Sequence, residues 1–274
     1  MEEFSEKLGR ILNILTFAGS IIVIVAWIIG HPLFYTSNGP VMSIFTAISL
    51  LFLAGIRLAK RYLYLWPMTL SLAALVVVGG GNLSSIMMLT SAPAVHVRTS
   101  SPIVMTSILT STGIILFCTY QLLIFLRKTP RNVFILDDIL IHLALVPGGL
   151  TILGHLFNNP TYLSMGIDPR VGISLLEMCF MALFATATIL ENKNLFLWQF
   201  LRGGTGNIVI FVALFVNQFV APILYMLFTG GKSESSFGPE LFIMLGGVFA
   251  TLGFLLIQAY NQNKGLETKD EFVI

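Results

Sequence analysis

The chain has 274 residues, 56% of them hydrophobic and only 10% charged. A soluble domain carries about 25% charged residues, so a soluble globular protein is excluded, and lipid is the solvent that fits this composition. A formal net charge of +2 is too small to point to a nucleic-acid partner.

Apolar runs of roughly 20 residues, the length a helix needs to cross a bilayer, predict an all-α polytopic membrane protein with about eight transmembrane helices. The chain opens on Met1-Glu2-Glu3 and a short amphipathic turn around Phe4–Leu8. The first span, 11–30, ends near Trp27 without a small-x-small cleavage site, so it reads as a helix and not as a signal peptide. Spans at 41–60 and 62–80 follow, with Trp66 near the start of the third. An outer turn from Gly79-Gly80-Gly81 to Pro102 leads into 103–126. The fifth span, 133–154, carries Asp137, Asp138 and His142 and the triplet Pro147-Gly148-Gly149; the sixth, 171–190, carries Glu177. Asn194–Leu201, with Trp198, is apolar but short and reads as an interfacial stretch. The seventh span, 207–229, holds Asn217, Gln218 and Pro222; the eighth is 240–260, and residues 261–274 form a short polar tail. Residues 1–274 thus read as a single transmembrane domain.

Charge sets the orientation. With both termini cytoplasmic, the inner side carries 12 of the 15 basic residues, leaving Arg98, Arg170 and Lys232 outside. Cytoplasmic loops hold the Lys/Arg excess, which predicts an even number of spans. The outer turns also suggest four related hairpins: Gly30-His31-Pro32-Leu33-Phe34-Tyr35 at the first corresponds to Gly154-His155-Leu156-Phe157-Asn158-Asn159 at the third.

Several segments resemble one family. Met42-Ser43-Ile44-Phe45-Thr46-Ala47 leads into a Leu-rich run, and Asn159-Pro160-Thr161-Tyr162-Leu163 is followed by Arg170-Val171-Gly172. Phe200-Leu201-Arg202-Gly203-Gly204-Thr205-Gly206 and Ala259-Tyr260-Asn261 complete the set. These resemble the eight-helix integral membrane sensor modules of bacterial histidine kinases and diguanylate cyclases, over roughly residues 14–263. The second and third return helices depart from the family motif, and no PAS, kinase or cyclase segment follows. The resemblance implies a sensing module of the bacterial inner membrane whose output lies with another membrane or signalling protein. It implies no ligand and no binding residues.

Ionisable residues within a span are costly and are functional candidates. Counted at ~1.5 Å per residue, His142, Glu177 and Asn217 fall at similar depths. With Gln218 and Asp138 they are expected to form one intramembrane polar layer, in which His142 and Glu177 share a hydrogen bond. Two readings stand: a ligand or proton-responsive pocket, or hydrogen bonding that holds packed helices together. Pro147, Gly148, Gly149 and Pro222 are candidate helix kinks. His31, His96 and His155 are predicted at one membrane face but lack a ligand spacing, so no metal and no cofactor are expected. No Walker loop, nucleophile elbow or HExxH occurs. The expected function is therefore a non-enzymatic sensing or accessory protein. A structural or assembly subunit of a larger complex and a small-molecule carrier or quinone-binding subunit are the alternatives.

Overall fold

The structure, a computed structural model, describes residues 2–34, 40–59, 73–77, 79, 106–126, 135–164, 172–229 and 238–270. Among the described residues it is helical, with no strand. The long helices are α1 (Glu2–Ile28), α2 (Ile44–Ala59), α3 (Ile108–Leu126), α4 (Ile135–Leu156) and α6 (Leu175–Glu191). A short α5 (Pro160–Ser164) lies between the last two, and α7 (Phe196–Arg202) follows them. Then come α8 (Thr205–Phe215), a π-helical turn (Val216–Val220), α9 (Ala221–Phe228) and α10 (Pro239–Asp270).

Among the described residues, five helical segments, one of them α8 through α9, are long and apolar enough to cross a bilayer, or six if α6 and α7, bent by 64° where they meet, count as one span. The apolar α2 is shorter, at 16 residues. The expected span 62–80 lies outside the described residues except for helical positions 73–77 and 79. Several expected boundaries shift. α1 starts at Glu2, so the amphipathic turn is continuous with the span, held by a Lys7–Glu3 pair one turn apart at 2.8 Å. α6 starts at Leu175, four residues after the expected boundary, because Ser174 caps it. α10 continues through the polar tail to Asp270.

Side-chain contacts define two ends of the bundle. At the base, α1, α4 and α8 begin while α2, α3 and α6 end: Gly9 of α1 faces Glu191 of α6, and Arg57 of α2 reaches the same glutamate. At the crown, Trp27 Nε1 donates to the Met42 carbonyl at 2.9 Å, bringing the end of α1 to the start of α2. The core between them joins Leu50, Leu53, Ile114 and Phe117 to Phe184, whose ring meets Phe117 edge to face at 5.0 Å. A second cluster near the crown packs Leu153, Tyr162, Met226 and Met244. Several hydroxyls inside the helices are satisfied locally, whereas those of Ser20, Ser49 and Thr110 are buried without a partner among the described residues. Thr16, Ser111, Thr151 and Thr188 each donate to the carbonyl four residues back, the way an apolar helix accommodates them without water.

The two turns aligned by sequence agree at one position and differ at another. Phe34 (φ 53°) and Asn158 (φ 50°) both adopt left-handed backbone four residues after the aligned glycines. Gly30 ends α1 with φ 81°, whereas Gly154 is still inside α4.

Candidate functional site

The polar residues of the bundle gather in three places, and the five expected in one layer do not share one of them. Glu177 belongs to the crown. Because α6 starts at Leu175, Glu177 occupies its first turn and forms a capping box with Ser174. Its second oxygen accepts from the Ser43 amide at 3.3 Å. Ser43 in turn caps α2 by accepting from the Thr46 amide at 3.0 Å, and its hydroxyl meets that of Thr106 at 3.0 Å. Glu177 thus ties the starts of α6 and α2 together. The expected hydrogen bond to His142 is not formed: Glu177 sits in the first turn of α6 at the crown, while His142 lines the cavity described below. The Ser-x-x-Thr of the motif noted in the sequence is a helix cap.

Beside it, Tyr162 of α5 is fully buried. Its hydroxyl donates to Glu240 at the start of α10 and accepts from the Gly238 amide at 3.0 Å. Burial, and then the Glu240 carboxylate it bonds, push the phenol above its usual range.

At the base, Arg57 is buried inside the bundle, not placed among headgroups as its position near the end of a span suggests. Its guanidinium lies 3.4 Å from Glu191, donates to the Thr188 carbonyl at 3.1 Å and sits 5.9 Å from the Tyr120 ring. Asn13 donates to Glu191 at 2.6 Å, and Asn192 donates to the Tyr120 hydroxyl at 2.7 Å. This network joins α1, α2, α3 and α6. The sequence carried one signal for it, an arginine three residues inside a span, which reads equally well as a loop charge.

The third place is a cavity of about 330 Å³ among α4, α6, α7, α8, the π-turn and α10. Its wall is mostly aromatic and aliphatic, with Phe200, Phe211, Phe215, Phe219 and Phe254 prominent. Asp138, His142, Gln218 and Thr251 supply its polar groups. Asp138, expected in the polar layer, lines this cavity with His142 and Gln218. Its two oxygens accept from the amides of Phe196 (2.9 Å) and Leu197 (3.0 Å), closing the first turn of α7. The Trp198 indole, expected as an interfacial anchor, donates to the Ile189 carbonyl at 2.9 Å and holds α7 against α6. Two nitrogens stay uncommitted: Nε2 of His142 and Nε2 of Gln218 are buried without a hydrogen-bond partner. Gln218 Oε1 accepts from the Thr251 hydroxyl at 3.3 Å. Thr251 had no sequence signal, because a lone threonine in a span is ordinary.

Asn217 does not join this group. It is exposed, one residue from the buried Gln218 on the π-turn. That turn stands just before Pro222, which lacks the N–H a regular helix would use and lies within the first two positions of α9. α4 runs as one helix through Pro147 and Gly148, and Gly149 faces Phe219 and Met244 in close packing. His31 is exposed, His155 Nε2 lies 3.2 Å from the Ile173 carbonyl, and His96 is outside the described residues. Among the described residues no group of three or more His, Cys, Asp or Glu side chains converges as metal ligands would.

Comparison with family models, curated proteins and solved structures finds no match to this chain.

Proposed function

We propose that this chain is a non-enzymatic membrane sensing or accessory protein that holds a small lipophilic molecule in the α4–α10 cavity and passes its state to a partner protein. One observation carries the reading: two buried side-chain nitrogens, on His142 and Gln218, stand without partners in the wall of an apolar cavity. An unsatisfied buried polar group costs about 1–3 kcal/mol, and a ligand acceptor removes that cost. Apolar walls with a few convergent polar groups are what small-molecule sites have in common. The same proposal places the chain in a bacterial inner membrane as eight spans in four related hairpins, with both termini cytoplasmic. The Lys/Arg distribution and the resemblance to sensor modules support that placement.

The test is mass spectrometry of small molecules released from protein purified out of native membranes, comparing wild type with Leu145→Trp, which fills the cavity. A lipophilic molecule carried by wild type and missing from the variant is the expected result. Identical small-molecule profiles, with both proteins folded, would sink the reading.

A second reading, a structural or assembly subunit of a larger membrane complex, is favoured by Asn217. An amide exposed on an apolar helix surface gains a hydrogen bond when a neighbouring helix covers it. Gentle extraction tests this reading: a stoichiometric complex that dissociates in Asn217→Leu supports it.

A further inference from the structure

Resting on the reading of the cavity as a ligand site, we propose that its ligand is a neutral lipophilic carbonyl compound of the quinone class. The wall decides the charge first. Among the described residues no lysine or arginine lines the cavity, and the carboxylate that does, Asp138, already accepts two backbone N–H groups at the start of α7. An anion therefore finds no counter-charge, and a cation finds an acid whose oxygens are engaged.

The free polar atoms decide the functional group. Gln218 is 1% exposed, and its amide oxygen is held by Thr251. Thr251 also donates to the Gly247 carbonyl at 2.9 Å, so its 3.3 Å contact does not by itself orient the amide; as the amide stands in the structure, its NH2 is the uncommitted end. An NH2 donates only, so the ligand atom opposite it is an acceptor. His142 Nε2, from the neighbouring α4, is the second uncommitted nitrogen and donates in its Nε2–H tautomer. A ligand with carbonyl oxygens satisfies both where a hydrocarbon satisfies neither.

The walls decide the shape. Phe215 and Phe219 pack tilted, and Phe200 and Phe254 edge to face, each pair with ring centres 5.1 Å apart, so the wall is largely aromatic. An aromatic wall suits a flat ring. The volume, about 330 Å³, is at the small end for ligand sites and suits a single substituted ring or a fused pair.

The experiment uses the full chain in detergent micelles, titrated by calorimetry with duroquinone and with durene, which share a carbon skeleton and differ by the two carbonyls. Benzylamine serves as the cationic probe. Duroquinone is expected to bind at least about tenfold more tightly than durene. Gln218→Leu, close in size, is expected to weaken duroquinone about tenfold and leave durene unchanged. His142→Phe gives the same readout from the other helix should Gln218→Leu fail to fold. Equal binding of duroquinone and durene overturns the carbonyl assignment while leaving the cavity as a ligand site. Preferential binding of benzylamine, lost in Asp138→Asn, overturns it in favour of a cation. No binding of any probe overturns the ligand class, and overturns the site as well if filling it with Leu145→Trp also leaves the native small-molecule profile unchanged.

Discussion

The Arg57–Glu191 pair tests how the base of the bundle is held. The Arg57 side chain is 1% exposed and that of Glu191 11%. Removing one partner of a buried pair costs about 3–5 kcal/mol, because the survivor's charge stays behind. In Glu191→Leu, Arg57 keeps the Thr188 carbonyl and the Tyr120 ring; in Arg57→Leu, Glu191 keeps Asn13. These residual partners place each single variant at the lower end, about 3 kcal/mol. Arg57→Leu/Glu191→Leu leaves no stranded charge and fills the space with apolar side chains. Its loss is expected to be at least about 2 kcal/mol smaller than the sum of the single losses. Equilibrium unfolding in mixed micelles with increasing dodecyl sulfate, followed by tryptophan emission, measures all four proteins. Single variants within about 0.5 kcal/mol of wild type, or a double variant that loses the full sum, would refute the role assigned to the pair.

Other outcomes follow from the same contacts. A Cβ at Gly247 would lie 2.6 Å from the Gln218 Cα, a backbone atom that cannot swing aside, so Gly247→Ala is expected to cost about 1–3 kcal/mol in the same unfolding assay. Asp138→Ala strands the Phe196 and Leu197 amides. It is expected to cost about 1.5–3 kcal/mol and to red-shift Trp198 emission as α7 loosens from Ile189. Tyr162→Phe leaves the Gly238 amide and Glu240 without the phenol, at a cost of about 1–3 kcal/mol. The Tyr162 phenol is raised in the folded state. Its contribution is therefore fully present below the unfolded value, about pH 10, and is lost as pH climbs through the folded value. Wild type should lose stability over that alkaline range more steeply than Tyr162→Phe, as read by unfolding at stepped pH.

How much of this was legible in the sequence depends on what carried each feature. Helix identity and apolarity were plain, because 18 or more consecutive apolar residues leave the backbone no other structure in lipid. Depth was not. Counting residues from assumed span edges put Glu177 beside His142, but a serine cap moved the start of α6 by four residues and took Glu177 to the crown. Direction around the helix was also hidden. Asn217 and Gln218 are adjacent in sequence, yet a π-turn sends one outward and one into the cavity wall. His142, Asp138 and Gln218 were found as candidates since polar atoms in apolar runs stand out. Arg57, Asn13 and Thr251 were missed because their partners are far away in sequence: Glu191 for the first two and Gln218 for the third.

The length of α10 has a mechanical consequence. Its 32 residues span about 48 Å, well beyond a hydrocarbon core of about 30 Å. Thr251 and Phe254 form part of the cavity wall, and from Thr251 the same unbroken helix continues about 28 Å to Asp270. A tilt of about five degrees pivoting at the cavity would displace the far tip by about 2.5 Å over such an arm. Under the proposed sensing role, a small change in how the cavity is filled would move this tip at the base by a few ångströms, with no hinge between the two.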